Sequence, residues 1–453
     1  MKKIIAVLLC LTTLLALCVP ALAGSKAEDR YAKYKGKTYL CLGDSVAAGT
    51  SNPGYVKERF AFVNQKNVVT GKGTATYPWY VLDAIGADKK TSFNGAHAGM
   101  RTYETLIALT GETDEAAYPY DFTENFFSTD LYGGEGCLDM LLNPESYNGR
   151  SYREALADAA LVTVNLGSND ILGTLLYHFI DLLTVAYTKS EYTGVLQPTI
   201  DAVEDMPASD ALKTLLDIVQ NTMASTDEIV TFMDHLSDAV KNNAVAEFFA
   251  HWDPLISYVL DNSTADVVVV GVFNPVRSIL GMTPEALANM DDTTRLLYTL
   301  IDNIAQSMID TMNYQMQYGS PYRDRYVYAD VSFVADDLVA GHQGTTVDTN
   351  TTDTVHPDDY THERIAKAIL KAMESFCQHK HTHTLFEKKA TLFSAGYSGD
   401  VFCSDCGVLL KQGSVTDILG REVVTLPKGS AYAVATSVAK TVVSAVTSLF
   451  KKK

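Results

Sequence analysis

Three separated segments carry residue types that together suit nucleophilic attack on a carbonyl: Gly43-Asp44-Ser45, Gly167-Ser168-Asn169-Asp170 and Asp353-Thr354-Val355-His356-Pro357. A serine hydroxyl attacks well only when a base takes its proton, and the imidazole that does so needs a third group to hold its tautomer. Ser45, His356 and Asp353 supply those types. The acid stands only three residues before the base, so a single turn is expected to present both, with Pro357 stiffening its exit. The tetrahedral intermediate also needs donors aimed at its oxyanion, each worth roughly 10² to 10³ in rate. The candidates are the Ser45 backbone N–H, the Asn169 side-chain amide, and a glycine N–H within Asn94-Gly95-Ala96-His97-Ala98-Gly99-Met100-Arg101-Thr102. Gly99 is the choice there, with Gly95 as the alternative.

These groups need rigid elements behind them. Short apolar runs, Thr38 to Leu42, Thr91 to Phe93, Leu161 to Leu166, Val267 to Val272 and Tyr326 to Val331, read as strands. Stretches with helical spacing lie between and after them: Tyr80 to Ile85, Ala211 to Met223, Asp227 to Lys241, Ala244 to Leu260, Thr293 to Met316 and Glu363 to Phe376. Ser225 and Glu228 form a capping-box pattern before the third of these. The alternation predicts an α/β fold with a mainly parallel sheet and helices on both faces. Ser45 and Asn169 then each follow a strand directly. Residues 171–266 break the alternation with amphipathic helices alone and read as a helical insertion beside the site, either ordinary core or a lid.

Taken in order, the motifs resemble the SGNH, or GDSL-type, hydrolase family: Gly43-Asp44-Ser45 for its first block, Gly99 for its second, Gly167-Ser168-Asn169-Asp170 for its third and Asp353 to His356 for its fifth. The resemblance covers the chain from Lys37 to Ala372. It implies a flavodoxin-like three-layer α/β/α sandwich and hydrolysis of carboxylic esters with no catalytic cofactor. It makes Ser45 the nucleophile, His356 the base, Asp353 its orienting partner, and Ser45, Gly99 and Asn169 the oxyanion hole. Val46 stands where the family's popular name has leucine, and the insertion is long. His97, His342 and His362 are expected on the surface or in the cleft wall, and Asp44 and Asp170 as acceptors that fasten loops.

The start of the chain has Lys2 and Lys3, an apolar stretch from Ile4 to about Val19, and Ala21-Leu22-Ala23 before Gly24, the pattern of a cleaved secretory signal over residues 1–23. The expectation is a secreted protein. Five cysteines remain after such cleavage, too few for a disulfide framework at this length. With 36 basic against 54 acidic residues, nucleic acid is not the expected partner. An acyl-ester small molecule, a lipid or an acylated glycan is.

The hydrolase domain is expected over 24–376. The composition then turns to histidine, cysteine and glycine, and residues 377–413 read as a small zinc-ribbon-like Cys/His module. Cys377, His379, Cys403 and Cys406 have the spacing of a structural zinc shell, with a disulfide or free thiols as the alternatives. Residues 414–453 read as a tail whose apolar stretch ends in Lys451-Lys452-Lys453, suited to association with a cell or membrane surface. Two readings compete with a lipase-like ester hydrolase: O-deacetylation of a polysaccharide or peptidoglycan, and a non-catalytic surface-binding protein on the same fold.

Overall fold

In the computed structural model the described residues are 31–52, 62, 64–66, 73–111, 149–188, 203, 206, 208–223, 225–345, 352–376, 382–390, 396–404, 409–417 and 421–425. The chain divides into two units, Gly36–Met373 and a second made of Met1–Lys35 with Glu374–Lys453.

Within the larger unit the strands are β1 (Thr38–Gly43), β2 (Asn64–Lys66), β3 (Gly73–Ala75), β4 (Phe93–Asn94), β5 (Ala159–Asn165), β6 (Asp266–Val270), β7 (Val327–Ala329), β8 (Gln343–Thr345) and β9 (Thr352–Pro357). Five of them form a parallel sheet in the order β4-β1-β5-β6-β7. Leu40 and Leu42 of β1 lie opposite Val162 and Val164 of β5, and Val162 lies opposite Val267 of β6. Every residue of β1 is buried, as in a parallel strand covered on both faces, which is why these strands read as unbroken apolar runs.

The helices of this unit are α1 (Ser45–Ala48), α2 (Tyr77–Ile85), α3 (Thr102–Thr110), α4 (Tyr152–Asp158), α5 (Ser168–Thr188), α6 (Ala208–Thr222), α7 (Thr226–Asp261), α8 (Val276–Ile279), α9 (Pro284–Asn289), α10 (Asp292–Tyr314), α11 (Phe333–Val339) and α12 (Asp359–Ala372). Caps set many of their starts. Ser225 accepts from the Glu228 N–H, Asp291 from Thr294 and Asp358 from Thr361, each satisfying a donor of a first turn. The Asp358 cap starts α12 four residues before the Glu363 expected from periodicity.

Two expected helices, Asp227 to Lys241 and Ala244 to Leu260, are one continuous helix, α7. Pro254 lies within it. No strand occurs among the described residues between β5 and β6, in keeping with an all-helical insertion. Its apolar residues are core: Leu212, Leu215, Phe232, Phe248 and Trp252 share one buried cluster with Leu40, Val162 and Val267 of the sheet. Trp252 is fully buried and stacks on Phe248 with ring centroids 5.4 Å apart. Truncating it to alanine would cost about 3–5 kcal/mol.

The smaller unit holds two antiparallel sheets, β10-β12-β13 and β11-β14-β15, built from β10 (Thr382–Leu385), β11 (Gly396–Tyr397), β12 (Asp400–Cys403), β13 (Leu409–Lys411), β14 (Ser414–Thr416) and β15 (Glu422–Thr425). Strands β14 and β15 lie past Gly413, where composition placed the start of a tail; pairing of β14 with β11 carries sheet structure beyond that point. Of the four residues read as zinc ligands, Cys403 is described: it is buried at the end of β12 and not in a disulfide. Cys377, His379 and Cys406 lie outside the described residues, as do the signal segment and everything after Thr425. No described helix is long and apolar enough to cross a membrane.

Candidate active site

In the five-stranded sheet, β1 is flanked by β4 on one side and by β5, β6 and β7 on the other. The chain order of the strands therefore reverses between β1 and β5, and in open parallel sheets the crevice beyond the carboxyl ends at such a reversal is where ligands bind. Ser45 sits there, two residues past the end of β1, and Ser168-Asn169-Asp170 opens α5 just beyond β5.

Ser45 is the first residue of the four-residue helix α1 and is 8% exposed. Its N–H heads that helix and has no helical carbonyl to donate to. Asp44 is the cap, accepting from the Val46 N–H at 3.0 Å. Burial pushes the Asp44 carboxyl up to about 6, against the pull of the Val46 N–H, His356 and Ser168.

Gly99 has φ +79°, the left-handed region, and stands in the turn after β4. Among the described residues its N–H has no hydrogen-bond partner. The Gly95 N–H instead donates to the Cys41 carbonyl at 2.8 Å, prolonging the β1–β4 pairing, so the alternative donor is already engaged. Asn169 donates one amide hydrogen to the Met100 carbonyl at 3.0 Å, which fastens it to the Gly99 turn and leaves the other hydrogen of its NH₂ group.

The same two loops are tied again by Asp170. It accepts from the Thr102 hydroxyl at 2.5 Å and from the Thr102 N–H. Burial raises its carboxyl to about 6. Arg101, nearly buried and ion-paired with Glu104, braces the start of α3.

Asp353 and His356 lie on strand β9 rather than in a free turn. In a regular strand residues i and i+3 point to opposite faces. Here the β8–β9 register jumps from Gly344 opposite Asp353 to Gln343 opposite Pro357, and the looped-out residues between bring the two side chains together. Asp353 Oδ2 lies 2.7 Å from His356 Nδ1, while Oδ1 accepts the N–H groups of Val355 at 2.9 Å and His356 at 3.1 Å.

A carboxylate can only accept, so Nδ1 carries the proton and neutral His356 presents its lone pair at Nε2. Among the described residues Nε2 is buried without a hydrogen-bond partner. Burial opposes the charged imidazolium, but Asp353 beside it and Asp44 beyond outweigh that, so the His356 pKa is raised. Asp353 is held well below the usual carboxylate range: its burial is outweighed by His356 and by the Ser51 hydroxyl. No hydrogen bond joins Ser45 to His356 Nε2 among the described residues, and such contacts often tighten only once substrate is bound.

Of the other histidines, His342 is partly exposed and faces Asp358 at 3.1 Å. His97 is buried, with Nδ1 3.0 Å from the Ala98 carbonyl. His362, expected at a surface or cleft wall, is wholly buried, and burial lowers its pKa to about 3. Its Nδ1 accepts from the Tyr77 N–H at 3.3 Å, and its Nε2 lies 3.1 Å from the Asn52 side-chain nitrogen. Sequence reasoning passed over Ser51, Asn52 and Thr102. Nothing local marks them, because their partners lie far away in the chain.

Beside Ser168 lies a narrow apolar crevice, lined in part by Ile171, Leu172, Phe273 and Val276, with room for about one water-sized group. The chain matches no protein-family model and no curated protein.

Proposed function

We propose that the chain is an exported serine ester hydrolase of the SGNH type that cleaves acyl esters through an acyl-Ser45 intermediate. The observation that carries this reading is the Asp353–His356 pair, which fixes the imidazole tautomer and leaves Nε2 as the free base within the unit that holds Ser45. The strand order supports the flavodoxin-like sandwich expected of such enzymes.

His356 Nε2 takes the Ser45 proton as Oγ bonds to the ester carbonyl carbon. The oxyanion is received by the N–H groups of Ser45 and Gly99 and the free Asn169 amide hydrogen. Collapse expels the alcohol, which takes the proton back from His356. Water then repeats the sequence on the acyl-enzyme, releasing acid and free Ser45.

O-deacetylation of a polysaccharide or peptidoglycan is the alternative to a lipase-like hydrolysis of longer acyl esters. The smaller unit is read as a structural Cys/His module, and the C-terminal segment as a means of surface association. Hydrolysis of a p-nitrophenyl ester series by the mature protein, with Ser45→Ala as control, tests the proposal. Turnover should depend on Ser45, and its confinement to acetyl and propionyl esters would point to the deacetylase. Rates rising with chain length would point to a lipase, and a Ser45→Ala variant as active as wild type would leave the non-catalytic binding protein as the better reading.

A further inference from the structure

We propose that Ser51 is a positioning residue for the acid–base pair, holding the Asp353 carboxylate in line with His356 and tying that pair to the segment that carries Ser45. The role rests on the hydrolase reading above, since it serves that reaction.

Ser51 is 2% exposed. Its hydroxyl donates to Asp353 Oδ2, the oxygen that also receives His356 Nδ1–H, and lies 3.3 Å from Nδ1 itself. With the two backbone N–H groups on Oδ1, both oxygens of Asp353 have two donors each. A carboxylate so saturated cannot rotate without losing hydrogen bonds in a buried place, where each is costly to leave unmade.

The backbone around Ser51 makes the tie mechanical. Thr50 N–H donates to the Ser45 carbonyl at 3.1 Å, and the Ser51 carbonyl accepts from Thr345 of β8 at 3.2 Å. Gly344 has no side chain for a reason: a Cβ there would lie 2.7 Å from the Ser51 Cβ. Asn52 is anchored in turn by its contact with His362 on α12. The turn leaving the nucleophile helix is thus pinned on one side to the hairpin that carries acid and base, and on the other to a helix behind it.

Among the described residues, the ionisable groups facing His356 are Asp353 on its own hairpin, Asp44 at the start of α1 and His362 on α12. Ser51 acts on the first of these. Its hydroxyl draws charge from the oxygen that His356 uses, so removing it leaves that oxygen a stronger acceptor and the imidazolium better stabilised.

The test is the His356 titration followed by NMR, together with kcat and KM for p-nitrophenyl acetate, in wild type, Ser51→Ala, Ser51→Cys, Asp353→Ala and the Ser51→Ala/Asp353→Ala double variant. Ser51→Ala should raise the His356 midpoint by about half a pH unit. It should lower kcat roughly tenfold with little change in KM. Neither effect should appear when Ser51→Ala is added to Asp353→Ala, because the two share one interaction. Ser51→Cys, close in size and a weak donor, should fall between wild type and Ser51→Ala, and carries the test should the alanine variant not fold.

An unshifted His356 midpoint, or losses that multiply in the double variant, would overturn the proposal. If Ser45→Ala hydrolyses as fast as wild type, the hydrolase reading fails and takes the catalytic role of Ser51 with it. The titration separates that failure from one in which Ser51 is simply uncoupled from Asp353 and His356.

Discussion

Asp353 grips His356 twice: Oδ2 faces the ring at Nδ1, 2.7 Å away, and Oδ1 accepts the backbone N–H of the same residue at 3.1 Å. The double contact sets both the position of the ring and its tautomer. It also makes the histidine harder to deprotonate than a free one.

Activity should therefore rise with pH through a midpoint above the ordinary imidazole value of about 6.5, since His356 must be neutral to accept the Ser45 proton and its pKa is raised. Asp353→Asn should bring the midpoint down and reduce kcat roughly 10²- to 10⁴-fold. The profile of kcat/KM against pH for both proteins is the check. A rate independent of pH between 5 and 8 would remove His356 from the mechanism.

Asp170 and Asp44 give the opposite linkage to Asp353. Their folded pKa values, raised to about 6 by burial, exceed those of unfolded carboxylates, so they favour folding fully below about pH 4, and that contribution is lost as pH rises through about 6. For Asp353, held low, the stabilisation is present above the unfolded value and is lost as pH falls through the folded one. Asp170→Asn should flatten the fall in stability between pH 4 and 6, by on the order of 2 kcal/mol. Urea midpoints across that range measure it, and an unchanged slope would count against the assignment.

Gly167 has φ +126°, and a Cβ there would sit 2.9 Å from Val272 Cγ2 and 3.1 Å from Met312 Cε. Both the backbone region and the space exclude a side chain. Gly167→Ala should cost about 1–3 kcal/mol in thermal or urea unfolding. It should also lower kcat by displacing Asn169 two residues on. A variant as stable as wild type would show that the turn relaxes.

Chelation should leave ester hydrolysis intact, because in the proposed reaction serine, histidine, aspartate and the oxyanion donors act without a metal. Assay before and after exhaustive chelator treatment, with metal content measured, decides this. Complete loss of activity without unfolding would assign a metal a role in the chemistry.

Much of the scaffold was readable from short-range signals. The runs Thr38 to Leu42, Leu161 to Leu166 and Val267 to Val272 overlap β1, β5 and β6 because strands buried on both faces need unbroken apolar sequence. Helix starts were less legible: α12 begins at its Asp358 cap, ahead of its apolar stripe, and α7 runs through the junction where two helices were expected. Asp353 and His356 were identified by type and spacing. The register jump against β8 that puts them on one side of β9 was not, since pairing depends on a partner strand.

The sequence alone therefore determined which residue types stand after which strands: a serine after β1, an asparagine after β5, and an acid and a base three residues apart near the end of the larger unit. These follow from periodicity, glycine placement and chemistry within a few residues of each other. Tertiary structure decided how they are held. The Ser51 bond to Asp353 spans 302 residues and the Asn52 contact with His362 spans 310, and neither exists until the sheet order brings those turns together. Tertiary structure also commits the Gly95 N–H to the Cys41 carbonyl and, among the described residues, leaves the Gly99 N–H without a partner. Local propensity acts through neighbours along the chain, whereas burial and long-range hydrogen bonds act through neighbours in space, which only the folded sheet supplies.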